Sequence, residues 1–176
     1  MADFTIELLD AAAAEKLTDS IVTVYRDAFS SPPWEKPASG VDRFANVVFP
    51  KHLGREGFAL TVAHNLDGKV VGFCYGFIGH HGQYWTDYVA ERIHPSLEKA
   101  WLGGHFEIAE LAVDHADRSH GIGRSLLTVL LDSRGEDRMA LQTLAQPSPA
   151  LSLYESLGFS PFGEFDDFVI LGKRRS

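Results

Sequence analysis

Polar and apolar residues alternate over "FTIELL" (4–9), a period of two that predicts a first strand. Over 11–29 the period changes. Leu17, Ile21, Val24, Tyr25 and Ala28 recur at steps of three and four, which places them on one face of a helix. "SSPPWEKP" ends that helix because proline cannot donate to the ladder. A second helix is expected within 40–53. "FALTVAH" (58–64) and "VVGFCYGFIG" (70–79) read as strands around "NLDGK", whose Asp-Gly favours a tight hairpin turn. The aromatic-rich stretch 80–104 is expected to be part helical and to act as a functional loop or lid. A strand over 105–113, a helix over 121–135, a strand over 138–144, a helix over 148–159 and a strand over 168–174 complete the pattern. The order βα(α)ββ–lid–βαβαβ predicts an α/β (α+β mixed) fold, with a central mixed sheet flanked by helices.

Composition narrows the class. The 176 residues suit one domain spanning 1–176, with no repeat or linker to divide it. A net charge of −8 argues against broad binding to nucleic acid. Cys74, the single cysteine, excludes an intrachain disulfide and sits in an apolar run, as a small buried hydrophobe would. "MADFTIELLD" lacks the pattern of a signal peptide, and no run of about 18 apolar residues occurs. A cytoplasmic protein without a membrane partner is expected.

The stretch "DHADRSHGIGRSLL" raises the chemical question. A Walker pattern needs Gly-Lys-Ser/Thr, which is absent. A dinucleotide fingerprint needs a small residue where Leu126 stands, and a glycine directly after the strand, where Asp114–His120 intervene. What remains is a helix start with Gly121 and Gly123, whose backbone N–H groups a ligand can approach, bracketed by Arg118 and Arg124. By spacing alone, a phosphate cradle and a strain-relieving junction beside surface arginines stand equal.

Arg118-Ser119-His120-Gly121-Ile122-Gly123 fits the pattern [Arg/Gln]-x-x-Gly-x-[Gly/Ala], and "PALSLYESLGF" follows about 30 residues later, beyond a strand. Together they resemble two motifs of the GNAT (Gcn5-related N-acetyltransferase) superfamily, over residues 105–159. The resemblance implies a single GNAT-fold domain that binds acetyl-CoA and needs no metal. The pyrophosphate would lie against Ser119–Arg124, with Arg118 beside it, and the pantetheine arm would pair with Leu111, Ala112 and Val113 like an added strand. Many relatives carry an asparagine seven residues before the helix tyrosine. Here Pro147 stands there, so that contact is absent or supplied otherwise.

Acetylating an amine requires a neutral nucleophile, a polarised thioester carbonyl and a proton for the departing thiolate. Tyr154 matches the family tyrosine that donates to the coenzyme A sulfur. The candidate bases are Glu107 and Glu110, which face opposite sides of a regular strand; a bulge, frequent in this family, would shift the parity. Backbone N–H groups near Leu111–Val113 could polarise the carbonyl.

On the acceptor side, Trp34, His80, Tyr84 and Trp85 are candidates for an aromatic pocket, against a reading as lid and core packing. Adjacent His80 and His81 do not make a metal site. The expected reaction is direct attack by a primary amine of a small molecule, or of a protein, in a ternary complex; a homodimer is possible. The rivals are a noncatalytic acyl-CoA-binding sensor and an aminoacyl-tRNA acetylating toxin.

Overall fold

The structure, a computed structural model, describes residues 3–176; Met1 and Ala2, the first positions of the expected domain, lie outside it. The strands are β1 (Phe4–Leu9), β2 (Ala59–Asn65), β3 (Val70–Gly79), β4 (His105–Val113), β5 (Arg138–Leu144), β6 (Ser160–Phe165) and β7 (Phe168–Arg174). The helices are α1 (Ala11–Glu15), α2 (Thr18–Phe29), α3 (Ala38–Arg43), α4 (Phe49–Leu53), α5 (Tyr84–Ala90), α6 (Pro95–Trp101), α7 (Ile122–Asp132) and α8 (Pro149–Ser156). The strands form one seven-stranded sheet in the order β1-β2-β3-β4-β5-β7-β6. β4 and β5 are parallel, while β1–β2, β2–β3, β5–β7 and β6–β7 are antiparallel, so the sheet is mixed as expected.

Three departures from the sequence pattern have local causes. The helix expected over 11–29 is broken at Lys16–Leu17, where the Thr18 hydroxyl donates to the Glu15 carbonyl at 2.6 Å and competes with the ladder. The helix expected within 40–53 contains a π-helical turn, Phe44–Val48. Pro50 has no N–H to donate, and the Phe49 N–H bonds the Phe44 carbonyl five residues back. β6 was not foreseen: "SPFGEF" carries a proline and a glycine, which read as a turn. It is an edge strand whose register slips between Pro161 and Gly163, and an edge tolerates a residue without an N–H.

The chain divides into two compact units. The first runs to Phe77 and resumes over Glu110–Ser133; the second holds Ile78–Ala109 and Arg134–Ser176. In the first, α2 buries Ile21, Val22, Val24, Tyr25, Ala28 and Phe29. Tyr25 stacks on Phe44 with centroids 3.8 Å apart, and Phe44 meets Phe73 of β3. Phe73, Tyr75 and Phe77 alternate along β3, so one face of this strand carries the aromatic core. Cys74, fully buried as expected, lies opposite Thr61 of β2, whose hydroxyl donates to the Leu126 carbonyl of α7 at 2.9 Å. The other face of β3 is therefore the one α7 covers.

In the second unit, Val89, Leu102, Ala140, Phe162 and Ile170 form a core joined by Trp85, Tyr88 and Trp101. The segment 80–104 is thus two short helices packed into that core rather than a loose lid. Among the described residues, no helix is long and apolar enough to cross a membrane.

Candidate active site

The glycine turn is built as an anion cradle needs to be. Gly121 is the N-cap of α7 in a left-handed conformation (φ 80°), and no side chain caps this helix. Ser119 is also left-handed (φ 67°), a conformation that costs a non-glycine residue about 1–2 kcal/mol. The first ladder bond runs from the Ser125 N–H to the Gly121 carbonyl at 3.0 Å. The N–H groups of Ile122, Gly123 and Arg124 thus open the helix, where the dipole favours negative charge. Arg118, Ser119, His120, Gly121 and Arg124 are exposed, Gly123 is half-buried and Ile122 is buried as the helix anchor. Arg118 Nε donates to the Val113 carbonyl at 3.2 Å, which ties the cradle to the end of β4.

Leu111, Ala112 and Val113 form that end. Leu111 and Val113 are half-buried and Ala112 is buried. Gly104 N–H bonds the Gly79 carbonyl and Asp114 N–H bonds the Val71 carbonyl, both at 2.8 Å. Between those bonds β4 advances from 104 to 114, ten steps, while β3 advances from 71 to 79, eight steps.

Glu110 is half-buried on this stretch, and burial pushes its carboxyl up to about 7, against a weaker pull from Lys36. Its charge also reaches Tyr25 and Cys74. Both groups are pushed well up, first by their own burial and second by Glu110. Lys36 Nζ lies 5.7 Å from the centroid of the Tyr25 ring. A carboxylate, a buried phenol and an ammonium therefore share one neighbourhood in the first unit. The sequence had read Tyr25 as core, and Lys36 had no assigned role.

Glu107 is buried in the second unit, at the step where β4 pairs with Ala140 of β5. Beside it, His105 is fully buried and held neutral by desolvation, its pKa pushed down to about 3. Its Nδ1 accepts from the Gly103 N–H at 3.1 Å. The ring fills the space beside Gly79, where a Cβ would stand 2.3 Å from its Cε1. Tyr154 is buried on α8, edge-on to Phe159, in a helix capped by Ser148, whose hydroxyl accepts from the Leu151 N–H at 3.1 Å. Pro147 is exposed in the preceding turn.

The acceptor candidates divide. Trp34 lies in the first unit, half-buried and edge-on to Phe29 at 5.6 Å. His80, Tyr84 and Trp85 belong to the second. Trp85 is half-buried and its Nε1 donates to Gln142 Oε1 at 3.0 Å, so packing occupies it. Tyr84 is 79% exposed and stacks on Tyr88; His80 is exposed. A surface depression of about 550 Å³ between Pro95, Glu98, Leu102 and Arg138 includes none of the expected site residues.

One supporting residue escaped the sequence reading. Asp27 of α2 accepts from the backbone N–H of His115 at 2.7 Å and from its ring Nδ1 at 3.0 Å. The backbone bond holds the Asp27 carboxyl below its usual range. It fixes the turn that leads from β4 into the cradle, across 88 residues of sequence that no local pattern spans.

Residues 56–161 match the acetyltransferase (GNAT) domain family. The chain is 28% identical to the GCN5-like protein acetyltransferase of Mycobacterium tuberculosis, with 98% of each covered. In structure it is similar to a protein of Pyrococcus horikoshii (TM-score 0.68, 24% identity, 98% of this chain and 99% of the other). It is also similar to the PaiA N-acetyltransferase of Thermoplasma acidophilum in complex with coenzyme A (TM-score 0.63, 14% identity, 97% and 99%). The GNAT family uses acetyl-CoA to acetylate amines, and the cradle's uncapped helix start suits the anionic end of that cosubstrate. This chain belongs to the GNAT family of acetyltransferases.

Proposed function

We propose that the chain transfers an acetyl group from acetyl-CoA to a primary amine of a small-molecule acceptor by direct attack, with Glu110 as the general base. The observation that carries this reading is the Glu110 carboxyl, raised by burial to about 7 on the strand that leads into the glycine turn. A base with a pKa near the working pH combines a useful fraction of carboxylate with enough basicity to take the ammonium proton. Burial gives Glu110 that property. Buried Glu107 supports the strand on this reading.

The helix start at Ile122–Arg124, with Ser119, His120 and Gly121 leading into it, holds the diphosphate, and Arg118 and Arg124 add charge. Backbone groups of Leu111–Val113 align the pantetheine arm and polarise the thioester carbonyl. Acetyl-CoA supplies the activated acetyl group. Tyr154 donates its phenolic proton toward the departing sulfur. Trp34 lies nearest the Glu110 neighbourhood in sequence and lines the acceptor side; His80, Tyr84 and Trp85 have weaker support. The reading takes the chain as one acetyltransferase domain working in the cytoplasm.

A second acceptor class, a protein amine, is favoured by the name of the Mycobacterium tuberculosis relative, a protein acetyltransferase. Thiol release from acetyl-CoA, measured against small primary amines and against lysine-containing peptides, decides between them. Faster release with small amines supports the first reading and faster release with peptides the second. Release that no amine accelerates, together with tight coenzyme A binding, would leave a sensor rather than an enzyme.

A further inference from the structure

The aromatic face of β3 ends at a guanidinium, one nitrogen of which has no hydrogen-bond partner among the described residues. Arg55, just beyond α4, places its guanidinium carbon 5.2 Å from the centroid of Phe77. The residue is half-buried, and its Nη1 is wholly buried with no hydrogen-bond partner among the described residues. Leaving a charged donor buried and unmatched costs several times what an ordinary hydrogen bond contributes, so an arrangement of this kind points to an absent anion.

A second donor lies beside it. The His52 ring packs 4.7 Å from the same Phe77, and its Nδ1 is bonded to the Tyr75 hydroxyl at 2.8 Å. Burial, with help from Arg55 and Lys51, pushes the pKa of His52 down to about 4, so the ring is neutral at pH 7. That bond can run in either sense, and in the one where the Tyr75 hydroxyl donates to Nδ1, the ring proton resides on Nε2 as a neutral donor. Guanidinium and imidazole N–H on one apolar ring make a geometry suited to a planar, two-oxygen anion.

The place of this pair in the first unit tells which ligand it serves. Phe73, Tyr75 and Phe77 share the β3 face that meets Phe44 and Tyr25, the ring that feels the charge of Glu110. α7, which begins at the cradle, covers the opposite face through Thr61 and Cys74. Arg55 therefore stands on the face of the base, away from the helix assigned to the diphosphate. Phe73 and Phe77, the two ends of this face, are four residues apart, roughly 13 Å along the strand; the rings lead from Phe73 through Phe44 to Tyr25, and Arg55 lies over Phe77.

We propose that Arg55 and His52 form a carboxylate-binding subsite for the acceptor, so that the preferred substrate is an amino carboxylate whose amine and carboxylate stand several bonds apart. This rests on the acetyltransfer reading and narrows its substrate class. An α-amino acid is too short to bridge the two ends; an ω-amino acid or the side-chain amine of a lysine-like molecule spans much of the gap.

The test compares ω-aminohexanoate with n-hexylamine, by calorimetric affinity for the coenzyme A-saturated protein and by KM. Wild type is expected to favour the carboxylate by about tenfold or more, and Arg55→Gln to erase the preference. Arg55→Lys, which keeps the charge but not the fork, should restore it in part, and His52→Gln should reduce it. Should Arg55→Gln unfold, those two variants carry the comparison. A wild type with no preference, or variants that retain it, would overturn the proposal. Tighter binding of an aminoalkyl phosphate of equal span would replace carboxylate by phosphate and overturn it as stated. A carboxylate preference in binding, with no turnover of any amine, would sustain the subsite and sink the acetyltransfer reading.

Discussion

The two ends of β4 run on one backbone and do different work. At its start, His105, Phe106, Glu107 and Ile108 are all buried, and Phe106 and Glu107 pair with Met139 and Ala140 of β5. At its end, Glu110, Leu111 and Val113 are only half-buried. Each end holds a titratable group that burial drives toward its neutral form. His105 is pushed down to about 3 and Glu110 up to about 7. The same desolvation has opposite consequences for reactivity: the histidine is placed far from neutral pH, the carboxylic acid on it. On the proposed reading, the closely packed first end supports the strand and the second supplies the group that exchanges a proton.

The largest expected effect separates the two glutamates. Glu110→Gln should lower kcat by about 10²–10⁴-fold, the range of a positioned base, with a smaller loss for Glu107→Gln. Equal losses, measured by initial rates at pH 8, would erase the distinction between the ends. In wild type, kcat/KM should rise with pH through about 7, as Glu110 becomes carboxylate, and then level off. Glu110→Gln should lose that limb.

Next in size, Tyr154→Phe should reduce kcat by roughly 10–100-fold with little change in acetyl-CoA affinity, a split that a packing role would not give. Gly79→Ala tests the closed end, because the new Cβ would meet the His105 ring at 2.3 Å. It should lower stability by about 1–3 kcal/mol in denaturant titration, and His105→Ala in the same chain should recover part of the loss.

A further effect of comparable size is on stability against pH. The Glu110 pKa is raised on folding, so its relative stabilisation is full below about 4.5 and is lost as pH rises through about 7. Glu110→Gln should therefore gain stability over wild type across that window, by at most on the order of 3 kcal/mol. His105 has the opposite sign: its pKa is lowered, so stability present above about 6.5 falls as pH drops toward 3.

Much of the frame was legible because its signals are local. β3, β4, β5 and β7 coincide with apolar runs bounded by polar or glycine turns. The turn into α7 was legible because its left-handed N-cap favours glycine. Other features depend on remote partners. Asp27 and His115 meet from opposite sides of four α-helices and three strands, and β6 exists because β7 offers it an edge. Of the site, the sequence left Glu107 and Glu110 level, since residue spacing gives the parity of side chains but not their surroundings.

The elements other than β6, the turn at Arg118–Arg124 and the tyrosine helix were legible in the sequence alone, because periodicity, glycine placement and caps act over a few residues. Tertiary structure decided that Glu110 rather than Glu107 lies in the half-open neighbourhood of Tyr25 and Lys36. It also left Arg55 Nη1, over Phe77, without a hydrogen-bond partner among the described residues. Desolvation is a property of everything packed around a group, and no stretch of sequence contains it.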